Sequence, residues 1–81
     1  MDHIKEQLLN QITQAQNRTL DTLKLIPMDT PGRSAVALAW EALRLGWYML
    51  KEDRVGISEK TQYVQRSYAK LMRELDPQDQ Q

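Results

Sequence analysis

Cysteine is absent from the chain, which excludes a disulfide framework and any thiolate metal site. Histidine occurs once, as His3, close to a helix end whose fraying denies the ring the fixed orientation that a ligand or general base needs. Glycine and proline number three each, and no glycine-rich phosphate loop is among them. No cluster of His, Asp and Glu has the spacing of a metal site. Net charge is absent too: 11 Lys and Arg balance 11 Asp and Glu. That balance removes a strong non-specific pull toward nucleic acid or anionic membrane, and also the repulsion that keeps copies of a protein apart. The longest apolar stretch, Ala35 to Leu50, is interrupted by Glu41 and Arg44 and falls short of the ~20 residues a spanning helix requires. The first residues, Met1 to Glu6, are polar and unlike a signal peptide. Glu41 and Glu52 are the nearest approach to paired carboxylates. Eleven positions apart on a helix, they stand ~16 Å from each other, too far to share a small substrate. These absences predict a cytoplasmic chain with no metal, no cofactor, no membrane partner and no catalytic residue, hence not an enzyme.

What is present suits one small helical domain. The 81 residues are 41 % hydrophobic and 27 % charged, a globular balance at a size that holds a single core. Pro27, Pro31, Gly32, Gly56 and Pro77 punctuate three long segments with helical periodicity. Helices are expected at about 2–25, 31–54 and 58–75, forming one domain over 1–75 with a disordered tail at 76–81. Ile4, Leu8, Ile12, Ala15, Thr19, Leu23 and Ile26 recur at steps of three and four in the first. Asp2 is its candidate N-cap, and Pro27 ends it. Thr30 and Pro31 have the character of an N-cap and first helical residue for the second, and Gly56 of its left-handed stop. In the third, with Ser58 as N-cap, Ile57, Thr61, Val64, Tyr68, Leu71 and Leu75 form a heptad seam for packing along a partner helix. Short connections favour antiparallel neighbours. The expected fold is an all-α, three-helix up-down-up bundle with a long apolar central helix, open to oligomerisation.

The second segment is the most informative. A large apolar row, Val36, Trp40, Leu43, Trp47 and Leu50, runs beside a small row, Ala35, Ala39, Ala42 and Gly46, that ends at Met49. Only a narrow stripe through Glu41, Arg44, Tyr48 and Lys51 is polar. A helix apolar over most of its circumference is buried on more than one side, and aromatic side chains at a protein interface carry much of its binding energy. Val36, Trp40, Leu43, Trp47 and Leu50 are therefore the candidate interface residues. The expected partners are another protein and a second copy of the chain, with nucleic acid ranked below them.

Two local strings suggest other chemistry. Thr30, Gly32 and Arg33 open the second helix, where free N–H groups, the positive dipole end and a guanidinium are suited to an anion. Arg33, Glu41-Ala42 and Trp47-Tyr48-Met49 look similar to elements of small phage proteins that sequester cyclic-nucleotide immune signals. The resemblance spans about a quarter of the chain, and its spacings do not align in one register. It implies a nucleotide-sequestering function that holds an anion near Arg33; a phage or plasmid origin is the expectation for the chain as an interaction module. Separately, Val55-Gly56-Ile57-Ser58-Glu59-Lys60-Thr61 resembles the turn and recognition-helix start of helix-turn-helix regulators, the response-regulator and sigma-factor types above all. That implies DNA contacts from Ser58, Lys60, Arg66, Lys70 and Arg73. The chain departs from the motif at Lys51, Glu52 and Gln62, where small or apolar residues are usual. The expectation that unites most of these features is a small regulatory module that self-associates and binds a macromolecular partner.

Overall fold

The computed structural model describes residues 2–76. The side chain of Asp2, and with it the expected N-cap, lies outside the described residues, as does all of the expected tail except Asp76. The described chain forms three α-helices and no strand: α1 Asp2–Leu25, α2 Arg33–Lys51 and α3 Arg54–Leu75.

α1 follows its apolar stripe and stops ahead of Pro27. Thr19 and Thr22 fit its surface by donating their hydroxyls back to the carbonyls of Ala15 and Arg18, at 2.8 and 3.0 Å. The link from α1 to α2 is longer than a minimal turn. Thr30 N–H donates to the Pro27 carbonyl (3.0 Å), and Arg33 N–H to the Thr30 carbonyl (3.2 Å). These turns keep Thr30 and Pro31 outside α2, which begins two residues later than the Thr-Pro pair suggests. Gly32 takes the cap position with φ 94° and no side-chain cap bond, a backbone state open to glycine at little cost.

The second junction is tighter. Glu52 adopts the left-handed conformation (φ 57°, ψ 33°). The N–H groups of Glu52 and Asp53 close on the carbonyls of Met49 and Tyr48, both at 3.1 Å. Asp53 then caps α3, its Oδ1 accepting from Gly56 N–H at 3.0 Å. With the stop at Glu52 and the cap at Asp53, Gly56 falls inside the first turn of α3. Ser58 falls within the helix rather than ahead of it.

α2 is the central element: α1 and α3 each pack against it, and among the described residues no Cα of α1 comes within 8 Å of one of α3. Ile4 and Leu8 of α1 share a shallow groove with Met49 and Leu50, and Ile12 lies in ordinary contact range of Gly46. Arg33 Nη1 donates to the carbonyls of Leu23 and Ile26, both at 2.6 Å; the Leu23 carbonyl also accepts from Ile26 N–H at 3.3 Å, so a cation sits over the carbonyl end of α1. On the other flank, the Tyr48 ring lies against the Gly56 backbone. Ser34, buried, donates its hydroxyl to Glu74 Oε1 at 2.7 Å. Lys60 Nζ stands 3.0 Å from Glu41 Oε2, an ion contact that lies off the directions of a well-formed hydrogen bond.

The result is a layer one helix thick. Its dimensions are 52 × 26 × 15 Å, the smallest well under the other two. The radius of gyration, 14.6 Å, exceeds the ~12 Å of a compact domain of this length. No apolar side chain among the described residues is fully buried. The accessible surface of 6350 Å² is well above the ~5,000 Å² typical of a monomer of this mass.

Candidate interaction faces

Because α1 and α3 flank α2, the layer presents two broad faces, and helical register at 3.6 residues per turn assigns α2 residues to each. Trp40, Arg44, Trp47 and Lys51 lie on one. Ala35, Ala39, Ala42, Gly46 and Met49 lie on the other.

The first face is built of cations laid over aromatic rings. Arg44 Cζ sits 4.6 Å from the Trp47 ring centroid and 5.0 Å from that of Tyr48. Lys51 Nζ lies 5.3 Å from the Trp47 ring. Lys60 is shared between Trp40 at 5.3 Å and Tyr63 at 4.8 Å, and Arg66 approaches Tyr63 at 5.8 Å. Trp47 and Tyr48 meet edge to face, with centroids 5.5 Å apart. Each such contact is worth roughly 0.5–1 kcal/mol where solvent reaches it; Trp40, Trp47 and Tyr48 are half-buried, while Tyr63 stays 49 % exposed.

The second face is apolar and uncovered. Ala35, Ala39, Ala42 and Met49 are all exposed, Met49 by 58 %. Ile4 and Leu8 extend the face onto α1, around the groove they share with Met49 and Leu50, whose lining also includes Lys5 and Glu52. On α3, Lys60 and Tyr63 belong to the cation–aromatic side. Tyr68 and Met72 lie roughly opposite Tyr63 in register and so fall on the apolar side, 55 % and 44 % exposed. Gln11 and Arg18 lend the α1 margin of this face some polarity.

No family model, curated protein or solved structure matches the chain. The function has to be read from these two faces and from where the sequence-derived candidates fall on them.

The five candidate interface residues are all half-buried. Register turns Val36, Leu43 and Leu50 toward α1, and the two tryptophans carry cations. The large row is thus mostly occupied within the chain, and the small row is what α2 offers outward. The α3 seam is only partly used. Ile57, Thr61, Val64 and Leu71 are half-buried, with Thr61 donating its hydroxyl to the Ile57 carbonyl at 2.6 Å, whereas Tyr68 and Leu75 are exposed. The contacts through Gly56, Lys60 and Glu74 rotate α3 so that one edge of the seam meets α2 and the other is left bare.

At the candidate anion site, Arg33 directs Nη1 to two carbonyl oxygens. Thr30, Gly32 and Arg33 do border a groove of about 720 Å³. Lys70 lines it as well, and so does Glu74, whose carboxylate adds negative charge. Of the DNA candidates, Arg66, Lys70 and Arg73 share one exposed flank of α3 by their spacing, while Ser58 and Lys60 lie elsewhere, and Lys60 is paired with Glu41. The string that resembles a helix-turn-helix runs within the continuous helix α3, with Gly56 in its first turn. Among the described residues no group of three His, Cys, Asp or Glu side chains could hold a metal, and no described helix is long and apolar enough to cross a membrane.

One buried residue, Gln16, is polar and so stands outside the apolar stripe. Gln16 is 6 % exposed, and its amide nitrogen has no hydrogen-bond partner. Its position between Ile12 and Leu20, at helical spacing from both, is the signal that places it inward.

Proposed function

We propose that the chain is a small, non-enzymatic interaction module that folds as an up-down-up helical layer, associates with itself and, as an assembly, binds a macromolecular partner in the cytoplasm. The reversed helix order is supported by the pairing of opposite ends. Ile4 and Leu8 lie near Met49, and Leu23 near Arg33. Glu74 meets Ser34, and Gly56 meets Tyr48.

One observation carries the self-association: an 81-residue chain in which no described apolar side chain is fully buried. Stable domains bury the apolar faces of their elements between at least two layers, and this chain alone provides one. Zero net charge adds no repulsion between copies. The binding role is supported by the cation–aromatic face. It places Arg44 and Arg66, with Lys51 and Lys60, over four aromatic rings; arginine and aromatic side chains are enriched where proteins meet. The non-enzymatic reading is supported by the exposed position of the single histidine and by the pairing of Glu41 with Lys60.

Light scattering coupled to size exclusion tests the proposal. A mass of twice 9.5 kDa or a higher multiple at micromolar concentration is expected. A mass of one chain at the highest attainable concentration would refute it.

A further inference from the structure

We propose that the apolar face is covered by a second copy of the chain, laid face to face about a two-fold axis close to the middle of α2. This rests on the self-association above and names its surface and geometry.

The alternative surface for a two-fold contact is the cation–aromatic face. A two-fold contact sets each patch against itself, so that side would oppose Arg44, Lys51 and Lys60 to their own copies. The apolar face carries no charge along its centre. Ala35, Ala39, Ala42, Gly46 and Met49 can leave water without the cost of desolvating an ion. The small side chains let the two α2 helices approach closely. Ile4, Leu8 and Met49 on one side of the crossing, and Tyr68 and Met72 on the other, fill the space that opens as the layers diverge. Gln11 and Arg18, with Lys5 and Glu52 of the groove, then fall at a polar margin, as in interfaces generally.

Area agrees. The length of α2, about 28 Å at 1.5 Å per residue, over the 26 Å breadth of the layer gives a footprint near the ~800 Å² per partner of a stable complex. The uncovered edge of the α3 seam is closed by the same contact, and a second layer turns the half-buried apolar residues of α2 into a core.

Sedimentation velocity on the native chain, Ala42→Glu and Lys51→Glu separates the possibilities, with far-UV circular dichroism reporting the fold of each. The expected result is a dimer for the native chain and Lys51→Glu. For Ala42→Glu, a helical monomer is expected, its dissociation constant raised about a hundredfold or more by two carboxylates buried at the contact. If Ala42→Glu dimerises as tightly as the native chain, the face assignment is overturned and self-association stands. If the native chain is a monomer throughout, both fall. A monomer that floats with phosphatidylcholine–phosphatidylglycerol vesicles assigns the face to lipid and likewise overturns the second copy. Should Ala42→Glu fail to fold, Ala42→Cys decides, since the chain has no other cysteine. Mild oxidation is expected to cross-link it into a dimer while leaving Tyr63→Cys, on the opposite face, largely uncrosslinked. Preferential cross-linking through Tyr63→Cys refutes the proposal.

Discussion

Replacing Gly56 by alanine tests a close contact between α2 and α3. A methyl group at this position would lie 2.7 and 2.8 Å from Cε1 and Cγ of Tyr48, and nearer still to Cδ1. Carbon atoms in contact prefer ~3.5–4.0 Å, so the ring or the helix has to move at three points together. Overpacking of this kind costs about 1–3 kcal/mol. Against it stands the better helix propensity of alanine, at most ~1 kcal/mol in a helix interior and less in the first turn, where Gly56 sits. The balance is a net destabilisation of about 1–2 kcal/mol, or a fall in Tm of roughly 4–16 °C for a domain of this size. Urea denaturation followed by circular dichroism, at one fixed protein concentration, measures it. The same substitution in a Tyr48→Ala background meets no ring, and there it is expected to be neutral or mildly stabilising. The double-mutant cycle should show a coupling of at least ~1 kcal/mol. A Gly56→Ala variant more stable than the native chain, or a penalty unchanged by removing the ring, would refute the reasoning.

Three further substitutions follow from the local geometry. Glu52→Gly relieves a left-handed residue that carries a side chain and is expected to raise stability by about 0.5–1 kcal/mol in the same denaturation assay; a loss would mean that its side chain matters more than its backbone. Gln16→Leu removes a buried amide whose nitrogen has no partner, with an expected gain of about 1 kcal/mol, and a loss of that size would show that the amide is satisfied in solution. Lys60→Met leaves Glu41, with only 18 % of its side chain exposed, facing an apolar neighbour; it should cost about 1–2 kcal/mol, most of it recovered in the Lys60→Met, Glu41→Met pair. An unchanged melting curve for the single variant would show the ion contact to be energetically idle.

Much of the fold is legible in the residue pattern because it depends on periodicity. The stripe from Ile4 to Ile26 specifies α1, and the girth of apolar residues on α2 specifies a helix flanked on two sides. The junctions are harder to read because several residues compete for the same role. Thr30-Pro31 is a good helix start, yet the turns closed by Thr30 and Arg33 N–H groups shift that start to Arg33. Gly56 is a good helix stop, yet Asp53 caps the next helix first, and Glu52 takes the left-handed backbone in its place. The candidate site was half legible. The two rows of α2 were visible, but periodicity gives which residues share a face, not which face a neighbour takes. Polar contacts through Arg33, Ser34 and Lys60, none of them part of an apolar pattern, set how α1 and α3 lie on α2. They leave the alanine row outermost and the tryptophans beneath cations.

The central claim is that one chain forms a single layer whose stability is completed by another copy. The dependence of Tm on protein concentration tests this most directly, because a fold completed by association gains stability by mass action. The midpoint is expected to rise steadily with each tenfold increase in concentration. A sharp, cooperative transition whose midpoint stays constant from the lowest to the highest concentration would contradict it.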